Sequence, residues 1–191
     1  MARPRSFDPD DVLDLARDVF WEKGFQGTSL DDVTAATGLS KPSLYAAFGD
    51  KHALFLKVLD RYHARIVANA EQVINDGPSA REAVRRWLTG FVPFCSGMKG
   101  RRGCLSVNTS TDGIFAHTDV RNRIEGFNRR LEELLRKRLR ADRAQFADGF
   151  DPAATAHTII AIYLGLMVLA KDVPDATQVH ATLTQTMKLL A

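Results

Sequence analysis

The sequence predicts an all-α fold, with three N-terminal helices that include a helix-turn-helix and a larger helical domain after them. Three observations lead there. Apolar residues recur at helical spacing along most of the 191 residues. Helix start and stop signals follow one another with no linker longer than a turn. No stretch shows strand-like alternation bounded by hairpin turns. The 45% apolar and 26% charged composition is that of a globular chain.

The first helix is marked by Val12, Leu15, Ala16, Val19 and Phe20, which fall on one stripe. Asp8 is its predicted cap, Pro9 takes the first helical position, Phe7 staples onto Val12, and Gly24 stops it. Asp10, Asp11, Asp14 and Asp18 lie off the stripe as a solvated face that suits the helix dipole. Thr28-Ser-Leu-Asp31 is the predicted capping box of a short second helix, with Leu30, Val33 and Thr37 inward and Gly38 after its end. Ser40 then caps a third helix, Lys41 to Phe48. Two short helices joined by a tight, glycine-containing turn are the signature of a helix-turn-helix, whose second helix fits a major groove. Leu44 and Phe48 belong under that helix.

Gly49-Asp50 breaks the chain, and an amphipathic helix runs through Leu54, Phe55, Val58, Leu59 and Tyr62 to about Asp76. Further helices are expected over 79–96, 104–116, 118–141, 152–171 and 175–190, with a kink where Gly90 and Pro93 interrupt the first of these. Ile124, Phe127, Leu131, Leu134, Arg138 and Leu139 trace a near-heptad seam. Ile159 to Leu169 is apolar on every side except at Gly165, so it needs cover all round. Val179, Leu183, Met187 and Leu190 form one stripe on the final helix, and a homodimer through residues 152–190, built as a four-helix bundle, supplies the missing cover.

The formal charge is +3 and the pI about 9.0, but residues 1–51 carry six basic against nine acidic groups, a net −3 that leaves +6 for the rest. Any DNA contact there rests on a few placed groups. The N-terminus lacks an apolar signal core, and the run Ile159 to Ala170 is shorter than the roughly 18–20 residues of a membrane span, so no membrane is expected. Cys95 and Cys104 form neither a disulfide framework nor a zinc pair, which fits a reducing cytoplasm. Gly-x-Ser-x-Gly, Gly-x-x-x-x-Gly-Lys and His-Glu-x-x-His motifs are missing, and the five histidines include no i, i+4 pair; neither an enzyme, a metal nor a cofactor is expected. Cys104, preceded by Arg101 and Arg102, reads as a buried structural thiol, with a redox sensor as the alternative.

Residues 12–59, VLDLARDVFWEKGFQGTSLDDVTAATGLSKPSLYAAFGDKHALFLKVL, carry Phe-x-x-Lys-Gly-Phe, Thr-Ser-Leu-Asp-Asp-Val, Gly-Leu-Ser-Lys, Ser-Leu-Tyr-x-x-Phe and Lys-x-x-Leu-Phe. In order and spacing they resemble the tetracycline-repressor (TetR) family of bacterial transcription regulators. The resemblance implies a ligand-responsive helical homodimer, a repressor that binds a palindromic operator and releases it when a small molecule fills the larger domain. Carried onto matching positions, Lys41, Pro42, Ser43, Ala46 and Ala47 face base edges, while Thr28, Tyr45 and Lys51 hold phosphates. Arg3 and Arg5, on an arm before the first helix, are candidates for a flanking minor groove. Pro42, Ala46 and Ala47 offer little bidentate readout, which shifts weight to Lys41, Ser43 and DNA shape.

The expected domains are residues 1–51, DNA-binding, and 52–191, ligand-binding and dimerising. Near the predicted kink, Trp87, Phe91, Phe94 and Met98 supply an apolar wall and Asn108, His117 and Tyr163 polar contacts for a small apolar or aromatic effector. The competing class is a non-DNA-binding helical carrier or cryptic enzyme on the same fold.

Overall fold

A computed structural model describes residues 7–97, 101–172 and 175–190; among them there are helices and no strands. The chain divides into two compact units, Met1–Ala64 with Asn108–Arg123, and Arg65–Val107 with Ile124–Ala191. The element α4, Lys51–Asp76, belongs partly to each.

In the first unit α1 runs Pro9–Gly27, α2 Leu30–Thr37 and α3 Lys41–Phe48. Asp8 caps α1 through the Asp10 N–H at 2.8 Å. Gly24 leaves helical geometry at φ 69°, and a Cβ there would lie 2.9 Å from Asp112 Oδ2, so the stop is conformational and steric together. The capping box of α2 sits one residue later than predicted: Ser29 Oγ accepts the Asp32 N–H at 3.1 Å, and Asp32 Oδ2 accepts the Ser29 N–H at 2.8 Å. The reason is local. Thr28 is 2% exposed and donates its hydroxyl to the Gly24 carbonyl at 2.6 Å, so it finishes α1 instead of opening α2. Gly38 follows α2 in the left-handed region, and Ser40 caps α3.

Val12, Ala16, Phe20, Val33, Leu44 and Phe55 make the centre of this unit, with Phe20 against Phe55 at 5.0 Å and Phe25 at 6.1 Å. Leu15, counted on the apolar stripe, is instead 44% exposed. Two acids assigned to a solvated face have a cross-helix partner: Asp10 and Asp14 hold Arg61 of α4 at 2.8 and 3.0 Å.

In the second unit the predicted helix 79–96 is two, α5 Ala80–Thr89 and α6 Val92–Cys95, because the chain turns at Gly90–Phe91 and Pro93 restarts a helix where its missing N–H does no harm. The stretch 104–116 likewise splits into α7, Leu105–Ser110, and a 3-10 turn, Gly113–Ala116. α8 is Thr118–Ala141. Its inward side is Ile124, Phe127, Leu131, Leu135 and Leu139, while the predicted Leu134 and Arg138 are half-buried. A straight helix of 3.6 residues per turn moves the stripe on to Leu135, where a heptad stays at Leu134.

α9, Pro152–Leu169, is fully sequestered only along Ala156, Ile159, Ile160, Tyr163, Leu166 and Met167. Ala154, Thr158, Ala161, Gly165 and Val168 form an exposed stripe on it. With its 3-10 end, Pro152–Asp172 is long and apolar enough by length and composition to cross a membrane, which the shorter run counted in the sequence did not reveal. In α10, Ala176–Met187, Val179 and Leu183 are buried within the chain itself, as is Leu190 beyond it, and Met187 is half-buried. The stripe assigned to a dimer bundle therefore faces its own unit.

Candidate nucleic-acid interface and effector site

Helix α3 has a clean division of faces. Leu44 and Phe48 are 1% and 4% exposed beneath it, while Lys41, Pro42, Tyr45 and Ala46 are exposed and Ser43 and Ala47 half-buried. Tyr45, at 51% exposure, is a large ring projecting from a polar face. No acid occupies the first turn of α3, unlike α2, where Asp31 and Asp32 do. The partial positive charge of that helix end thus remains available to an anion.

Lys41 Nζ pairs with Asp31 at 2.7 Å, with both groups exposed. Such a pair is weak, and a phosphate or guanine edge can compete for the ammonium. Ser43 donates its N–H to Ser40 Oγ at 3.3 Å, and the two hydroxyls are 2.9 Å apart. Asp32, beside the interface, is held well below the usual carboxylate range by the Lys23 ammonium and the Ser29 N–H and hydroxyl.

Two residues assigned to phosphates are committed inside the fold. Lys51 Nζ donates to the carbonyls of Phe25 at 3.0 Å and Thr28 at 2.9 Å and lies over the Phe25 ring at 4.3 Å. It buckles the end of α1 to the start of α4, which leaves one of its three donors. Thr28 is buried with its hydroxyl given to Gly24. A cation that the sequence reading passed over is Lys57, which donates to the Ala47 carbonyl at 3.3 Å and stands over Phe48 at 5.5 Å. Lys57 lies in the second turn of α4 and reaches the end of α3 only through packing, so no local signal in the sequence marks it. Arg3 and Arg5 lie outside the described residues.

The proposed effector residues fall into two groups. In the second unit, Trp87, Phe91 and Tyr163 touch one another, with ring centroids 5.3 Å apart for Trp87–Tyr163, 5.4 Å for Trp87–Phe91 and 5.0 Å for Phe91–Tyr163. Trp87 and Tyr163 are buried, and Phe91 and Phe94 half-buried. Burial, with Cys104 hydrogen-bonded beside it, pushes Tyr163 ionisation well up, so its hydroxyl stays neutral. Asn108 and His117 belong to the first unit, His117 exposed at the end of the 3-10 turn. Met98 lies outside the described residues.

Comparison with known proteins converges on one group. Residues 12–58 match the model for bacterial regulatory proteins of the tetR family. The chain is 31% identical over 173 residues to the HTH-type transcriptional repressor ComR of Escherichia coli (strain K12), covering 89% of this chain and 82% of that protein. It is 34% identical, with TM-score 0.86 and coverage of 97% and 98%, to a cysteine mutant of the TetR-family transcriptional regulator CifR complexed with 26-base-pair operator DNA. A second CifR variant with the same operator length superposes at TM-score 0.88 and 32% identity over all of both chains.

Proposed function

The chain belongs to the TetR family of bacterial regulatory proteins and is a transcriptional regulator, not an enzyme; from that premise we propose that it is a cytoplasmic repressor that binds a palindromic operator as a homodimer and is released by a small apolar or aromatic effector. The observation that carries this reading is α3, whose Lys41, Pro42, Tyr45 and Ala46 face solvent over a buried Leu44 and Phe48. The similar CifR complexes hold operator DNA, and ComR is a repressor.

In this reading Lys41 and Ser43 touch base edges beside Pro42, Ala46 and Ala47, with Tyr45 and the remaining Lys51 donor on phosphates. The second copy docks along α9, where Ala154, Ala161 and Gly165 allow close approach and Val168 and Leu169 need cover. This assigns the apolar helix to a partner subunit and not to a bilayer. The effector enters at Trp87, Phe91, Phe94 and Tyr163. The DNA-binding domain is assigned to residues 1–51 and the effector domain to 52–191, although the compact units divide at Ala64 and give 108–123 to the first; α4, which belongs partly to each unit, carries the response. An effector lowers operator affinity only by binding the non-DNA-binding state more tightly, about 1.4 kcal/mol for each factor of ten.

A mobility-shift titration on the DNA upstream of the protein's own reading frame tests the proposal. Wild type binds and Tyr45→Ala binds all duplexes more weakly, whereas Lys41→Ala also loses preference between sequences. Failure of the wild type to select any duplex from a random pool at low salt rejects it.

A further inference from the structure

The first unit contains a cluster that DNA reading does not use. His52 stands in the first turn of α4, His117 ends the 3-10 turn Gly113–Ala116, and Asp119 lies in the first turn of α8. His52 Nε2 and Asp119 Oδ2 are 2.8 Å apart. The two imidazoles lie 5.0 Å apart between centroids, and one donor atom from each of the three residues lies within 4.8 Å of the others. His52 and Asp119 are 67 positions apart in the chain, so no motif announces the group.

Interactions outside the cluster brace it. Asp112 Oδ1 accepts the Ile114 N–H at 3.0 Å, shaping the turn that delivers His117. Its Oδ2 accepts the Phe25 N–H at 3.1 Å, fastening that turn to the end of α1. The Phe25 ring meets the His52 imidazole edge-on at 6.1 Å. Asp119 spends Oδ1 on the Val120 N–H at 2.9 Å, which orients Oδ2 toward His52. These are the supports that metal-binding imidazoles and carboxylates use to hold orientation.

We propose that His52, His117 and Asp119 form a binding site for a late first-row divalent cation, with Zn²⁺ as the best match. Two imidazoles and one carboxylate suit that ion, and three protein ligands leave the fourth tetrahedral position to water. Ligand bonds of about 2.0–2.2 Å put tetrahedral donors roughly 3.3 Å apart. The His52–Asp119 pair, at 2.8 Å, opens by about half an ångström to reach that spacing, and the exposed His117 ring closes the remaining gap by rotating. The cation takes the place of the hydrogen between Nε2 and Oδ2, and the neutral His52 ring keeps its proton on Nδ1. It ties the start of α4 to the segment before α8, one residue from the Lys51 buckle.

The test uses the untagged full-length protein and the metal alone. Zn²⁺ is titrated in competition with a chromogenic chelator, and Co²⁺ serves as a spectroscopic substitute. Wild type takes up one Zn²⁺ per chain and shows visible Co²⁺ ligand-field bands. His117→Ala and Asp119→Asn each lose at least about tenfold in affinity and lose those bands. His180→Ala, at an exposed position on α10, matches wild type and reports non-specific histidine binding. His117 is exposed, so its loss leaves the fold intact, which helical circular dichroism verifies. Absence of a saturable one-to-one site in wild type overturns the proposal, as does equal weakening by His117→Ala and His180→Ala.

Discussion

The two units differ in where they leave their unfinished surface. The first closes each short helix with local polar devices, Asp8, the Ser29–Asp32 box and Ser40, and straps α1 to α4 through Asp10, Asp14 and Arg61. Its outward helix presents Lys41, Pro42 and Tyr45. The second unit leaves Val168 and Leu169 more than half exposed and Leu189 at 42%. A polar recognition face tolerates water until DNA arrives, whereas an exposed apolar stripe loses hydrophobic stabilisation until another chain covers it. The first unit exposes a single aliphatic side chain of this kind, Leu15, among the described residues, whereas the second exposes three.

The strongest way to sharpen that comparison is to cut one core at a time. Phe20→Ala removes a ring packed on Phe25 and Phe55, and Tyr163→Ala one packed on Trp87 and Phe91. Each should cost about 3–5 kcal/mol in chemical denaturation. Stability of the Tyr163→Ala protein should also depend on protein concentration. Gly165→Arg should leave the subunit fold intact, since a Cβ there meets open space, and should convert the proposed dimer to monomer in light scattering.

Acid comes next in size and acts on the first unit. Burial beside Arg123 holds the His63 imidazole down to about 4 from an ordinary 6.5. The unfolded chain therefore takes up this proton first. His63 contributes its full stability above pH 6.5 and loses it progressively as pH falls toward 4, about 3 kcal/mol in all. Replacing His63 with Gln should flatten the stability curve across that window, measured by urea melts at stepped pH. In the second unit Glu82, brought down to about 2 by Arg85 and Arg86, contributes stability above its ordinary 4.5 and loses it as pH falls toward 2, a separate and lower window.

Smaller still is Ser29→Ala, which removes the capping box of α2 and should cost about 1 kcal/mol. Smallest in stability is Lys41→Ala. Its exposed pair with Asp31 should change unfolding by less than about 0.5 kcal/mol, while operator selectivity drops.

Much of this was legible beforehand. Asp8, Ser40, Ser79 and Gly38 mark the boundaries the sequence predicts, because each acts on backbone groups within a turn of itself. Spacing sent Leu44 and Phe48 inward, while the exposed Lys41, Pro42 and Ala46 had been marked by the family resemblance. Where expectation missed, a distant or competing partner had intervened. Thr28 could not cap α2 with its hydroxyl already on Gly24, and Asp10 and Asp14 met Arg61 across a helix interface.

The sequence by itself therefore determined the helical class, the order of the helices and the bounds of α3, since periodicity and capping are short-range effects. Tertiary structure decided which donors are already spent, as at Lys51, and which helix stripe turns inward, as on α10. It also brought His52, His117 and Asp119 together. Those outcomes depend on the rotation and register of one packed helix against another. Contacts across the whole core set them, and no local residue pattern encodes them.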